Sequence, residues 1–360
     1  MSNPSDLPKA LDPGPNVSPD ATINGCHFVF PGPYGEAYTR FDGHIWLLSY
    51  RWNELLDFLD YRELNEYLDR FVGGNNTVTA PDPSNLGDVW VEGMYIAGVG
   101  VVFGKSARDR DDEFRKGSGA GAGTSPTAPT PYTKKFREAR PEAFIKGFWR
   151  QHLTTDGGVI RKRADGNFNP SVGKGSSPEP EFVLFCSRRG MRYIPNQTLR
   201  PLGIAVGNDA TANIIEALNI LNLPEAKLYD QCMGISRGFL VPRGDTLPVD
   251  TKITLRLQRH GQSGVQHEDY GLISDLQRSF HDIMQFVGRE KTFNGPVLIS
   301  TGTSVSPVWV NRGDVISISA PGIGTFSQTV IQDEAPAGWL KDDDCFLDKE
   351  IERQVAARQG

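Results

Sequence analysis

Two kinds of apolar pattern run along the chain, and each predicts a different element. In the C-terminal half, short apolar runs are separated by Gly, Pro and Asn: Glu181–Phe185, Gly203–Val206, Lys252–Gln258, Val297–Ile299 and Asp314–Ser319. Runs of this length and composition read as β-strands. Within the third, Ile253, Leu255 and Leu257 alternate with polar neighbours, the period of a strand with one buried face. Nearer the N-terminus, His44–Ser49 is strand-like. The stretch NELLDFLDYRELNEYLDRFV that follows carries Leu55, Leu56, Leu59, Leu64, Leu68 and Phe71 at helical spacing. A further helix is expected where Leu272, Ile273, Leu276, Phe280, Ile283, Met284 and Val287 recur at three and four residues, a stripe about 16 residues long. The sum is an α+β chain, mainly β, with a few helices on the flank.

Composition then places the boundaries. Residues 1–20 are rich in Pro, Ser, Asn and Asp, which bury too little apolar surface to offset ordering, so a disordered tail is expected. Residues 21–93 read as a small α+β N-terminal domain and 94–335 as a larger, β-rich one. The latter is interrupted at 116–131, inside RKGSGAGAGTSPTAPTPYTK, where core-forming side chains are nearly absent and a flexible insertion is expected. Residues 336–360 are expected to be a C-terminal tail, partly helical.

Charge narrows the function. A formal net charge of −6 provides no basic footprint for nucleic acid or an anionic membrane surface. No apolar run approaches the length of a membrane span, and the opening MSNPSDLPKALDPGPN lacks the layout of a signal peptide, so a cytoplasmic protein is expected. Cys26, Cys186, Cys232 and Cys345 show no C-x-x-C spacing, which suits reduced thiols better than a disulfide framework or zinc knuckle. The histidines are equally dispersed, so metal ligands must be sought among hard oxygens.

Pro178-Glu179-Pro180-Glu181 supplies two of them. Carboxylates two residues apart at the mouth of a strand share a face, about 7 Å apart at the backbone, and need a cation or a proton to coexist in an interior. The apolar strand Gly203–Val206 leads into Gly207-Asn208-Asp209, which offers a third carboxylate and completes an oxygen set suited to Mg²⁺ or Mn²⁺. The bland alternatives are a solvated strand edge for the glutamates and a turn or helix cap for Asp209. Lys227, if buried near a metal, could carry a proton or pair with a substrate carboxylate. Ile299–Pro307 runs into a Gly-Thr turn whose hydroxyl and N–H groups would suit a carboxylate, or simply make a turn.

In order and spacing, GVVFGKSARDRDDE, ARPEAFIKGF, PEPEFVLF, GNDATANIIEALNILNLPEAKLYDQC, SDLQRSFHDIMQFVGRE, LISTGTSVSP and NRGDVISISAPGIGTF resemble the fumarylacetoacetate hydrolase superfamily, and within it the 2-keto-3-deoxy sugar-acid dehydratases. The resemblance spans roughly 94–332. It implies a catalytic domain that is a mixed β-sandwich roll, assembled as a homodimer or homotetramer, acting on a small-molecule 2-keto acid. It also implies a metal site at Glu179, Glu181 and Asp209 holding Mg²⁺ or Mn²⁺, with Lys227 as the family's following lysine. Substrate contacts fall on Lys146, on Thr303 of the Gly-Thr turn, and on Ser106 and Arg110 of a loop over the site.

The superfamily's C–C hydrolases carry a water-activating histidine in the loop after the family's aromatic, but Phe103–Arg110 contains none. A dehydratase needs only proton abstraction beside a metal-bound ketone, with the C4 hydroxyl departing after the C3 proton, and Lys227 is the favoured proton carrier. The chain departs from the close dehydratases at Asn213-Ile214, where they carry Arg-Asp, and at NFNPSVGKGSS before PEPE; both bear on substrate identity. Two rivals stand: a hydrolase or decarboxylase of a diketo acid or acylpyruvate, favoured if His152 or His267 reaches the site, and a non-catalytic protein that keeps the fold.

Overall fold

A computed structural model of the chain describes residues 25–79, 81, 86–100, 102–103, 134, 138, 141–148, 150–162, 175–191, 198–218, 223–245, 247–289 and 291–332. The N-terminal tail, the insertion at 116–131, the C-terminal tail, Ser106, Arg110 and Cys345 lie outside these residues.

The chain opens with three strands, β1 (His27–Pro31), β2 (Glu36–Phe41) and β3 (His44–Arg51), and two helices, α1 (Trp52–Leu55) and α2 (Tyr61–Gly74). Then come β4 (Tyr95–Gly100), β5 (Glu142–Gly147), β6 (Leu153–Thr154), β7 (Val159–Lys162), β8 (Pro180–Cys186) and β9 (Gly203–Asp209). The short helices α3 (Asn213–Leu218) and α4 (Leu223–Lys227) precede β10 (Met233–Ile235), β11 (Phe239–Val241), β12 (Lys252–Gln258) and β13 (His267–Leu272). The described part ends with α5 (Phe280–Gly288), β14 (Val297–Thr303), β15 (Val315–Ala320) and β16 (Gly324–Gln332).

These strands make two mixed sheets. The larger runs β3-β2-β1-β11-β9-β8-β14-β4-β5, with β10 and β6 attached beside β9; the smaller runs β13-β12-β15-β16-β7. Most pairings are antiparallel, whereas β14 with β4, β16 with β7 and β10 with β6 are parallel. The expected mainly-β, α+β architecture is the one observed. The N-terminal strands extend the larger sheet through β1 and β11, so the sheet crosses residue 93.

Period-two alternation sorts the side chains of the central strands. Phe182, Leu184, Ile204 and Val206 join Ile253, Leu255, Leu257, Ile316, Ile318 and Phe326 in a core between the sheets. Their neighbours Val183, Phe185 and Ala205 point the other way and pack with Trp52, Leu55, Leu64 and Leu68 under α1 and α2. Full burial of each such aliphatic or aromatic side chain contributes about 1.5–3 kcal/mol.

Two helical expectations need correcting. The pattern over residues 53–72 is not one helix, because Asp60 is extended and its side chain accepts hydrogen bonds from the Arg62 and Glu63 N–H groups, starting α2 afresh. The stripe from Leu272 to Val287 is helical only from Phe280. Ser279 and Asp282 form a capping box there, while Leu272 ends β13 opposite Lys252. Three-and-four spacing thus continued by coincidence across a strand end and a 3-10 turn at Ile273–Asp275.

A polar clasp ties α2 to β1 and the segment after β11. Fully buried His27 bonds Thr39 Oγ1 through Nδ1 (3.2 Å) and Asp69 Oδ1 through Nε2 (3.0 Å), and Arg243 grips Asp69 with two nitrogens at 2.6 and 2.7 Å. Burial pushes the His27 pKa down, so the ring is neutral and donates from Nε2. The Arg243 hydrogen bonds, helped by His27 and opposed by burial, lower the Asp69 pKa from 3.8 to about 2. A carboxyl with a depressed folded pKa stabilises above its ordinary value and loses that contribution as the pH falls through the folded one. The Asp69 carboxylate is half exposed, so screening keeps the effect small. Asp69→Asn is expected to cost about 1 kcal/mol in urea unfolding at neutral pH, a deficit that fades as the pH drops from 3.8 toward about 2.

Candidate active site

The N-terminal end of β8 and the C-terminal end of β9 lie side by side, with Pro180 opposite Asn208 and Glu181 opposite Gly207. Strand alternation places Glu179, Glu181 and Asp209 on the face turned away from the smaller sheet, the face that α1 and α2 cover further along. One carboxylate oxygen from each of the three lies within 4.8 Å of the others, and all three residues are buried. The convergence expected from the sequence is therefore present. Their solvated-edge and helix-cap alternatives are not: Asp209 pairs with Met233 within the sheet, and the next helix begins only at Asn213.

Two lysines share this interior. Lys227, at the end of α4, donates from Nζ to Glu179 Oε2 (2.7 Å), Asp209 Oδ2 (3.1 Å) and Thr211 Oγ1 (2.5 Å). Lys146, on β5 and wholly buried, approaches Asp209 Oδ1 at 2.5 Å and donates to the Ala210 carbonyl at 2.7 Å, with the Tyr229 ring centroid 5.5 Å away. The Asp209 Oδ1 contact is ionic rather than an aligned hydrogen bond, for that buried atom accepts none. Burial alone would raise the Asp209 pKa, but the two ammonium groups outweigh it and hold it below its ordinary value.

Glu181 is placed differently. Its Oε2 accepts from the Ser300 hydroxyl and from the Gly302 N–H (2.8 Å), and neither lysine bonds it. Burial first, then the negative charges of Asp209 and Glu179, push its pKa well above the usual carboxylate range. The Gly302 N–H reaches Glu181 because β14 shifts register between Ser300 and Thr303. Gly302 sits at φ +86°, where an added Cβ would come within 2.5 Å of Val102 Cγ2.

Of the other expected residues, Thr303 lies across from Glu181, its hydroxyl accepting the Val305 N–H at 3.2 Å. Lys146, expected as a substrate contact, is engaged by Asp209 and the Ala210 carbonyl. His267 belongs to β13 at the edge of the smaller sheet. His152 is buried just before β6, and the neighbouring Leu153 pairs with Met233, itself opposite Asp209. Asn213 is buried and accepts the Ser177 hydroxyl at 2.7 Å.

Ser300, Thr211 and Asn208 escaped the sequence reading, whereas the Gly-Thr turn was read as suiting a carboxylate and its Gly302 N–H holds that of Glu181. Ser300 left one signal, a hydroxyl at the end of an otherwise apolar strand. Cys26, Cys186 and Cys232 are buried free thiols, as expected. No helix among the described residues is long and apolar enough to cross a membrane.

Residues 132–331 match the family described as fumarylacetoacetate (FAA) hydrolase C-terminal. The chain belongs to the fumarylacetoacetate hydrolase family. It is 28% identical over 265 residues to a protein named "Probable 2-keto-3-deoxyxylonate dehydratase" from Haloferax volcanii, covering 73% of this chain and 77% of that protein. A "2-dehydro-3-deoxy-D-arabinonate dehydratase" from Saccharolobus solfataricus is 26% identical over 273 residues, covering 74% and 78%. Among solved structures, the fold matches 2-keto-3-deoxy-D-arabinonate dehydratase in its apo form (TM-score 0.63) and complexed with magnesium and 2,5-dioxopentanoate (0.61). Both share 20% identity, and each match covers 86% of this chain and 99% of the other. Those two matches show the family member's fold.

Removing one partner of a buried ion pair strands the other. Lys146→Met is expected to destabilise the protein by about 3–5 kcal/mol, read from urea unfolding at neutral pH. A loss below about 1 kcal/mol would mean Asp209 does not depend on it.

Proposed function

We propose that this member of the fumarylacetoacetate hydrolase family is a divalent-metal-dependent dehydratase of a 2-keto-3-deoxy sugar acid. The observation that carries the reading is the meeting of Glu179, Glu181 and Asp209 in the interior. Three carboxylates face two ammonium groups, and Glu181, whose ionisation is opposed first by burial and then by the charges of Asp209 and Glu179, is the one that neither ammonium group bonds. Hard anionic oxygens with residual charge fit Mg²⁺ or Mn²⁺. The names of the Haloferax volcanii and Saccharolobus solfataricus relatives favour the sugar-acid substrate class.

An ion held by Glu179, Glu181 and Asp209 would supply Lewis acidity toward the carboxylate and ketone of a 2-keto acid. Ser300 and the Gly302 N–H hold Glu181 Oε2 and leave its carboxylate orientation fixed. Lys146 orients Asp209 from the far side. Lys227 is the proton carrier for a reaction in which the substrate loses the C3 proton and the C4 hydroxyl. As the neutral amine its Nζ, set among three oxygens, takes the C3 proton, and the ammonium so formed returns it to the C4 hydroxyl, which leaves as water. Thr303, beside Glu181, is assigned to the substrate carboxylate, and Ser106 and Arg110 to the substrate from outside the described residues.

A second reading, C–C hydrolysis of a diketo acid, draws on His152, buried next to the strand that pairs with Asp209's own neighbour. A third, a non-catalytic protein, draws on Lys227, which already neutralises part of the carboxylate charge.

The test is turnover of the purified protein with Mg²⁺ or Mn²⁺ against 2-keto-3-deoxy acids and acylpyruvates, followed by mass spectrometry. Loss of one water from a sugar acid is expected; two carbon fragments would favour the hydrolase. Glu181→Gln, which removes a ligand charge and little volume, is expected to cut turnover at least about 100-fold with the far-UV spectrum unchanged. Wild-type activity in that variant would overturn the assignment.

A further inference from the structure

Glu179 lies between two prolines, so its own N–H is the only donor in the Pro178-Glu179-Pro180 segment. That N–H does not go to the sheet ladder. It donates to Asn208 Oδ1 at 3.1 Å, while the Glu179 carbonyl accepts from Asp209 N at 2.9 Å. Because a backbone N–H can only donate, the Asn208 amide has one orientation, and its Nδ2 must donate onward. It does so to Gln328 Oε1 at 3.2 Å. This in turn fixes the Gln328 amide, whose Nε2 donates to Thr154 Oγ1, and the Thr154 hydroxyl donates to the Met233 carbonyl at 3.4 Å.

Every donor in this chain points the same way, so each bond polarises the next. The chain starts at the backbone of Glu179 and ends on Met233, the residue paired with Asp209. It therefore ties the Glu179 backbone, through the side chain of Asp209's neighbour Asn208, to the backbone of Met233 opposite Asp209, approaching from the opposite face of the larger sheet. Gln328 comes from β16 of the smaller sheet, and both it and Asn208 are fully or almost fully buried. Room for its amide depends on Gly234, where an added Cβ would lie 2.2 Å from Gln328 Oε1.

We infer that Gln328 is a positioning residue that, through Asn208 and Thr154, sets the separation of the Glu179 and Asp209 backbones and so tunes divalent-cation affinity. The inference rests on the reading of Glu179, Glu181 and Asp209 as ligands. Without Gln328, Asn208 Nδ2 is a buried donor with no acceptor, and the amide that accepts the Glu179 N–H shifts or turns to relieve it.

The experiment titrates Mn²⁺ into the full-length wild type, Gln328→Met and Ser317→Ala, reading free Mn²⁺ by electron paramagnetic resonance and melting temperature in parallel. Ser317 shares a buried hydroxyl pair with Ser327 on the same two strands β15 and β16, but has no link to Asn208. Gln328→Met is expected to raise the Mn²⁺ Kd about tenfold or more, and Ser317→Ala to leave it unchanged whatever its melting temperature. If Gln328→Met fails to fold, Thr154→Val cuts the same chain one link further on and is expected to weaken Mn²⁺ in the same direction. A folded Gln328→Met or Thr154→Val protein with wild-type Kd overturns the inference, as does equal weakening by Ser317→Ala. Wild type that binds no Mn²⁺ overturns the ligand assignment itself and this inference with it.

Discussion

Three carboxylates buried side by side are the constraint around which the middle of this molecule is organised. Each would be far more stable in solvent, and each raises the cost of ionising its neighbours. The protein meets that cost unevenly. Asp209 and Glu179 share the Lys227 ammonium, Asp209 also has Lys146, and Glu181 is left with a hydroxyl and a peptide N–H. Two neutral dipoles do not cancel a full charge, so the cluster is balanced everywhere except at one position. That imbalance is what the proposed metal ion would correct.

The fold makes such a cluster feasible by surrounding it with fixed backbone. β8 and β9 are interior strands of the larger sheet, with β14 on one side and β11 and β10 on the other. Apolar layers cover both faces along most of their length. Side chains rooted in interior strands have little freedom to swing apart, so electrostatic repulsion among them is held as a standing demand for positive charge.

Much of this was legible in the sequence, because the information was local. Short apolar runs bounded by Gly and Pro gave the strands around Phe182 and Ile204, and the period of two along a strand put Glu179 and Glu181 on one face. The strand ending at Asp209 brought the third carboxylate to them. What was not legible arises from distance along the chain or from competition between local signals. The Ser300–Glu181 bond joins residues 119 apart, and Asn208 meets Gln328 across 120. The stripe from Leu272 misled because apolar spacing does not reveal where a helix begins; the Ser279 cap decided that. The contact of Lys146 with Asp209, 63 residues further along the chain, was likewise beyond local reading. The superfamily resemblance supplied the fold and the three converging carboxylates, and the structure supplied the way in which the lysines divide the charge.

One further property follows from how β9 is bordered. Its early part is hydrogen-bonded to β11 through Leu240, but beyond a turn at Ser236 and Gly238 its partner becomes β10, three residues long, whose own neighbour β6 has two. The stretch bearing Asp209 thus hangs on a narrow hem, while the stretch bearing its apolar residues is sewn into the full width of the fabric. Movement of residues 233–235 would shift Asp209 relative to Glu179 and Glu181 only at the expense of the core that Met233 and Ile235 help to fill. The placing of one carboxylate and the filling of the interior are thereby coupled at a single short seam.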